Sequence, residues 1–295
     1  MSRSNRKSAG RTGERPPAPE PLNVGVPDSH THLDIVLSGE WGEDSAGPPA
    51  PESAAVTAEL DAATATGITR VVQVGVDVGS SRWGADLAAH DPRVVAAVAL
   101  HPNEAPVLDD LEAALAEIDK MGAEPRVRAF GETGLDSYRT GDEGLAAQEY
   151  SFRRHIGMAK AHGKALVIHD REMHEQVLRV LDDEGAPDTV VLHCFSGDAD
   201  FARECVSRGY HLSYAGNVTF KNAQNLRDAA LVTPVEQMLV ETDAPFLTPM
   251  PYRGRNNAPY LVPITVRYLA ELKGVDLDEF CAGLAATGTR VFGEW

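Results

Sequence analysis

Thr69-Arg-Val-Val-Gln-Val-Gly-Val76 is followed by a helical stretch over residues 80–90. Arg93-Val-Val-Ala-Ala-Val-Ala-Leu100 comes next and runs into His101-Pro102. The two valine-rich runs have the length and β-branched content of buried strands, and the stretch between them has the Ala/Leu spacing of a helix. A strand, a helix and a second strand in this order make a parallel unit. The same alternation extends in both directions. An apolar run over residues 22–26 precedes it, and strands are expected at 126–130, 165–168, 189–192, 210–214 and 237–240. The helices between and after them are expected at 53–66, 108–121, 144–162, 172–183, 199–208, from about 221, and then at 260–273 and 277–292. Eight strand–helix units in a chain of this size predict an α/β fold of the (β/α)8 TIM-barrel type over residues 22–295. A doubly wound sheet is the structural rival. It requires a reversal of strand order, and the chain has no Gly-rich dinucleotide fingerprint to support it.

The 295 residues are 43% hydrophobic, enough for a large core, and carry a formal net charge of −17. Such a chain has no general electrostatic grip on nucleic acid or on an anionic membrane. An anionic substrate must be held locally, by metal ions or a few arginines. Three widely spaced cysteines, Cys194, Cys205 and Cys281, form no CxxC pair, which argues against a disulfide framework or thiolate zinc site and fits a reducing cytoplasm. No apolar run approaches the roughly 20 residues of a membrane span, and the basic N-terminus lacks the apolar core of a secretory signal. Residues 1–21, rich in Ser, Gly, Pro and Arg, are expected to be a disordered tail. Residues 38–52, SGEWGEDSAGPPAPE, form an acidic Gly/Pro-rich loop in which Trp41 is either a cap over a pocket or a surface-packed ring. No obligate protein partner is evident.

The polar residues that interrupt the apolar pattern fall at strand ends. His30 and His32, in Asp28-Ser-His-Thr-His-Leu-Asp34, end the first strand, and side chains two apart on a strand share a face. His101, Glu132, His169, His193 and Asp243 end the third, fourth, fifth, sixth and eighth. Each alone has an ordinary explanation, as a packed histidine, an ion-paired acid or a turn cap. Together, on six strands of a barrel, they converge on the face where active sites are built. Four imidazoles and two carboxylates are too many ligands for one tetrahedral ion. They fit two divalent ions, with His30, His32 and Asp243 on one, His169 and His193 on the other, and Glu132 between them. Such a pair clamps the attacking and leaving oxygens of a displacement and acidifies water. Asp243 can also accept a proton. The mixed ligand set does not choose among Mg²⁺, Mn²⁺ and Zn²⁺.

The blocks Asp28–Asp34, Gly131-Glu-Thr-Gly-Leu-Asp136, Ile168-His169, Leu192-His-Cys-Phe-Ser-Gly197 and Glu241-Thr-Asp-Ala-Pro-Phe-Leu247 resemble the signature blocks of the TatD family of metal-dependent deoxyribonucleases. The likeness runs from about Pro27 to Phe292. It implies hydrolysis of DNA phosphodiesters with two divalent ions, mainly 3′→5′ exonuclease action on ends or single strands. It also implies His30, His32, Glu132, His169, His193 and Asp243 as ligands. His101, in Leu-His-Pro, resembles the family's substrate-side histidine. Arg253-Gly-Arg255-Asn-Asn resembles its basic loop with an altered pattern, which makes Arg253 and Arg255 candidates for binding substrate phosphate. Near the C-terminus, Thr287-Gly-Thr-Arg-Val-Phe292 stands where the family often has Asn before Arg-Leu-Phe.

Other activities share this chemistry. An amidohydrolase-like C–N, ester, lactone or phosphotriester hydrolase often bridges its metals with a modified lysine at the end of strand four, where this chain has Glu132 and no lysine between Lys120 and Lys160. A D-aminoacyl-tRNA deacylase would use the same acidified water. A non-catalytic metal-binding barrel is a reading of another class, against which stands the full set of ligands with a candidate base.

Overall fold

The structure is a computed structural model that describes residues 15–38 and 47–295; Trp41 lies outside them. Eight strands, β1 (Val26–Thr31), β2 (Ile68–Val74), β3 (Val94–Val98), β4 (Val127–Asp136), β5 (Ala165–Arg171), β6 (Val190–Leu192), β7 (His211–Tyr214) and β8 (Met238–Val240), form one sheet in sequence order. Every neighbouring pair is parallel. Sequential order without reversal excludes the doubly wound alternative. The sheet closes at its C-terminal rim, where Thr31 bridges Ala244 and the Asp243 amide donates to the His30 carbonyl at 2.9 Å.

The alternation within strands explains the two apolar layers. Val72 and Val74 of β2, Val95 and Ala97 of β3, and Val167 of β5 belong to a cluster inside the barrel, while Val71, Val94 and Ala96 join the larger cluster under the helices. The interior cluster is closed by Val291 and Phe292, the last residues of the terminal helix, with Trp295 against them. The helices are α1 (Leu33–Ser38), α2 (Ala54–Ala65), α3 (Val78–His90), α4 (Leu111–Met121), α5 (Asp142–His162), α6 (His174–Glu184), α7 (Ala199–Ser207), α8 (Gln224–Val232), α9 (Val262–Lys273) and α10 (Leu277–Phe292). Helix α1 was not anticipated. It begins immediately after His32, where the Leu33 amide donates to the buried Gln73 side chain at 2.7 Å. Among the described residues, no helix is long and apolar enough to cross a membrane.

Residues 15–21, read from composition as part of a tail, lie along the barrel instead. Pro16 is buried and its carbonyl accepts from the Tyr260 hydroxyl at 2.6 Å. The carbonyls of Glu20 and Pro21 accept from Arg267. Arg15 adds an ion pair to the buried Glu59. Composition missed this because most of the contacts are made by main-chain carbonyls, which every residue has, and the acid that Arg15 meets is distant in the chain. Of the acidic loop, residues 47–52 are described, and there the Trp83 indole of α3 donates to the Pro49 carbonyl at 2.8 Å.

Candidate metal centre

Glu132, buried on β4, stands among five imidazoles. Its Oε1 lies 3.6 Å from His30 Nε2 and 3.4 Å from His32 Nε2. Its Oε2 lies 2.8 Å from His193 Nε2, 3.2 Å from His169 Nδ1 and 3.7 Å from His101 Nε2. Asp243 joins from the other side, with Oδ1 3.5 Å from His32 Nε2. The structure thus brings all seven strand-end residues to one place. Arg253 and Arg255 lie on the loop after β8, each over an aromatic ring, Phe220 at 4.2 Å and Tyr252 at 5.7 Å. Neither is ion-paired among the described residues.

Supports not singled out from sequence fix these side chains. The His32 Nδ1–H points at the Val74 carbonyl at 2.9 Å, leaving Nε2 to face Glu132 and Asp243. His193 Nδ1 faces Glu241 Oε1 at 3.3 Å, and the same oxygen accepts from the Cys194 amide at 2.9 Å. His169 Nε2 lies 3.4 Å from Asp136 Oδ2, and Asp136 is itself held by the Asn103 side chain and the Arg139 amide. An imidazole tied at one nitrogen by a carbonyl or carboxylate and open at the other is the usual state of a metal-ligating histidine. Asp28 accepts from the Thr242 amide at 2.9 Å and from the Thr242 hydroxyl at 2.6 Å. Asn257 donates to the carbonyls of Thr242 and Phe246. These bonds flank Asp243, whose φ of 51° is unusual for a residue with a side chain and persists only where the surroundings over-determine it. Asp28, Asp136 and Glu241 all stand in the motif blocks. Their burial was the missing signal.

The electrostatics follow from five imidazoles crowding buried carboxylates. Burial opposes the charge on Glu132, but His193 and His101 outweigh it and hold the carboxyl well below its ordinary range. Burial likewise opposes protonation of His193, yet Glu132 and Glu241 push it up to about 10. His32 and His169 are raised against burial by Asp243 with Glu132 and by Asp136 with Glu132, respectively. Burial pulls His101 down to about 3 and lowers His30, with His193 adding to the latter. Burial raises the Asp28 carboxyl to about 8.

His30 tests whether a cation fits. It is wholly buried, stacked on His193 at 3.8 Å between centroids, and neither ring nitrogen has a hydrogen-bond partner. A buried polar group left unpaired costs on the order of 1–3 kcal/mol. A cation accepting the Nε2 lone pair removes that cost at Nε2. Among the described residues, the ligand atoms that lie within 4.8 Å of one another form three sets, His30 with His32 and Glu132, His30 with His193 and Asp243, and His101 with Glu132 and His169. Glu132 belongs to two of them, as an acid between two ions would. His193 falls with His30 and Asp243 here, although its Nε2 is also 3.4 Å from His169 Nδ1. The nitrogen and oxygen donors suit a divalent transition metal or Mg²⁺ and Mn²⁺.

The family model of the TatD related DNases matches residues 27–293. The chain belongs to this family. It is 47% identical over 270 residues to the uncharacterized metal-dependent hydrolase TatD of Mycobacterium tuberculosis, covering 90% of this chain and 97% of that one. It is 35% identical over 234 residues to the uncharacterized metal-dependent hydrolase YabD of Bacillus subtilis, covering 79% and 91%. Its fold superposes on the crystal structure of YJJV, a TatD homolog from Escherichia coli K12, with a TM-score of 0.80 at 24% identity over 90% of this chain and 97% of the other. The chain is therefore a metal-dependent hydrolase of the TatD family, with its His/Glu/Asp cluster at the C-terminal mouth of the barrel.

Proposed function

We propose that this hydrolase cleaves DNA phosphodiesters, working 3′→5′ from ends and preferring single strands, with two divalent ions held by His30, His32, His169, His193, Glu132 and Asp243. The observation that carries the reading is the position of Glu132, one buried carboxylate within 3.7 Å of five imidazoles with Asp243 across the cluster. Two like cations can approach only if an anion lies between them. When bound, such ions polarise the phosphodiester and lower the pKa of water.

The chain's own groups supply the rest. Asp243, 15% exposed at its side chain, can take the proton of the attacking water while Glu241 and Asp136 keep His193 and His169 oriented. His101 Nδ1 accepts from the Asn103 amide at 3.0 Å. Since burial keeps this ring neutral at physiological pH, its proton sits on Nε2 and faces the cluster. That makes His101 a hydrogen-bond donor to a substrate oxygen rather than a ligand in this tautomer. Arg253 and Arg255 offer charge unmatched by any described acid. A net charge of −17 leaves these short-range contacts as the grip on DNA. The free cysteines Cys194, Cys205 and Cys281 fit a reducing compartment such as the cytosol.

The test is digestion of end-labelled single- and double-stranded DNA by metal-stripped protein supplied with Mg²⁺, Mn²⁺ or Zn²⁺. A ladder shortening from the 3′ end, faster on single strands, is expected. Internal cuts, or no cleavage with both ions bound, would overturn the reading.

A further inference from the structure

Most arginines of the described chain are already matched. Arg153 meets Glu149, Asp183 and Glu184, and Arg126 donates to three main-chain carbonyls. Arg171 is different. Among the described residues its guanidinium meets no carboxylate and donates no hydrogen bond; it lies 4.0 Å over the ring of Tyr138. Arg171 ends β5 two residues beyond His169, so the two side chains leave the strand on the same side. Its backbone partner on β4 is Asp136, the residue that faces His169. Tyr138 is 62% exposed, with one face under the guanidinium.

A guanidinium that meets no described acid can meet an anion, and one that lies over a ring keeps its N–H fork available for a phosphate. An exposed ring beside it provides a surface on which a base stacks. We propose that Arg171 and Tyr138 form a nucleotide subsite beside the metal cluster, Arg171 holding the phosphate next to the scissile one and Tyr138 stacking its base. This rests on the phosphodiesterase reading and extends it by assigning where the flanking nucleotide lies.

Binding of a fluorescently labelled pentathymidylate with phosphorothioate linkages, measured against salt, tests the subsite. Turnover of a plain pentathymidylate and of bis-p-nitrophenyl phosphate, which has no flanking nucleotide, is measured alongside. Arg171→Ala should weaken binding at least tenfold and flatten the salt slope by about 0.7, the share of one phosphate contact on a single strand. Arg171→Lys should fall between, since it keeps the charge and loses the fork. Tyr138→Ala should weaken binding ~5-fold or more, and Tyr138→Trp should retain it. Arg203→Ala, which removes an exposed positive charge on α7, should leave binding within twofold. The preference for pentathymidylate over bis-p-nitrophenyl phosphate in kcat/KM should drop at least tenfold in Arg171→Ala. Unchanged binding and slope would overturn the subsite, as would an equal loss on both substrates, which would make Arg171 a support of the cluster. Turnover of bis-p-nitrophenyl phosphate without Arg171-dependent binding sinks the subsite alone. Arg171-dependent binding without turnover of either substrate sinks the phosphodiesterase reading and leaves the subsite standing.

Discussion

Glu132→Gln keeps the shape of the side chain and removes the charge at the centre of the cluster. The nearest imidazole nitrogen, on His193, is 2.8 Å away, and four others lie between 3.2 and 3.7 Å. At an effective dielectric constant near 20, one unit pair at the shortest of these distances is worth roughly 6 kcal/mol before desolvation. Removing one member of a buried pair leaves a net loss of about 3–5 kcal/mol. Each 1.4 kcal/mol is a factor of ten in an equilibrium constant. The variant should therefore hold at least one ion a hundred- to several-thousand-fold more weakly, by about that same free energy. After desalting into micromolar metal, elemental analysis should find no more than one ion where the parent keeps two, with hydrolysis lost and circular dichroism unchanged. Two ions at parental affinity together with near-parental hydrolysis would remove Glu132 from the mechanism.

Asp243→Asn should lower kcat by about 10²–10⁴ with little change in KM, as expected for loss of a proton acceptor; a raised KM with level kcat would refute that role. Metal uptake should release protons, because His193, raised to about 10, is protonated near neutrality without an ion, and His32 and His169 are shifted in the same direction. Affinity should then climb as pH rises from 6 towards 10, and calorimetry in buffers of different ionisation enthalpy would contradict this by finding no proton released. In the metal-free chain the same shift on His193 stabilises the fold fully below its ordinary value of 6.5 and is lost as pH rises through about 10. Asn257→Ala leaves two carbonyls, those of Thr242 and Phe246, without their donor, and should cost on the order of 1–3 kcal/mol in urea unfolding; no loss of stability would mean that the segment carrying Asp243 is held by other bonds.

Strand ends were legible because two periods coexist in the sequence, short valine-rich runs and longer Ala/Leu stretches, and because a polar residue at the end of an apolar run stands out. That placed His101, His169 and His193 on the correct rim from one-dimensional information. Depth was not legible. Asp28, Asp136 and Glu241 look in sequence like ordinary acids near turns, and only their burial beside Thr242, His169 and His193 makes them supports. The pairing of ligands was equally hidden. His30 and His193 come from distant parts of the chain, yet their rings stack at 3.8 Å because β1 and β6 project side chains across the barrel mouth. Residues 15–21 and α1 escaped for a related reason: the bonds that hold them involve main-chain carbonyls, Gln73 and an Arg15–Glu59 pair distant in the chain, which composition does not mark.

The proposed chemistry needs two ions in this cluster. Metal-stripped protein titrated with Mn²⁺ or Zn²⁺, with bound ions counted by elemental analysis and bis-p-nitrophenyl phosphate hydrolysis followed at each step, tests it most directly. Hydrolysis should reach its plateau at two ions per chain and vanish on chelation. A plateau at one ion, hydrolysis that survives chelation, or two bound ions with no hydrolysis of any phosphodiester would contradict it, the last of these leaving a barrel that binds metal without using it.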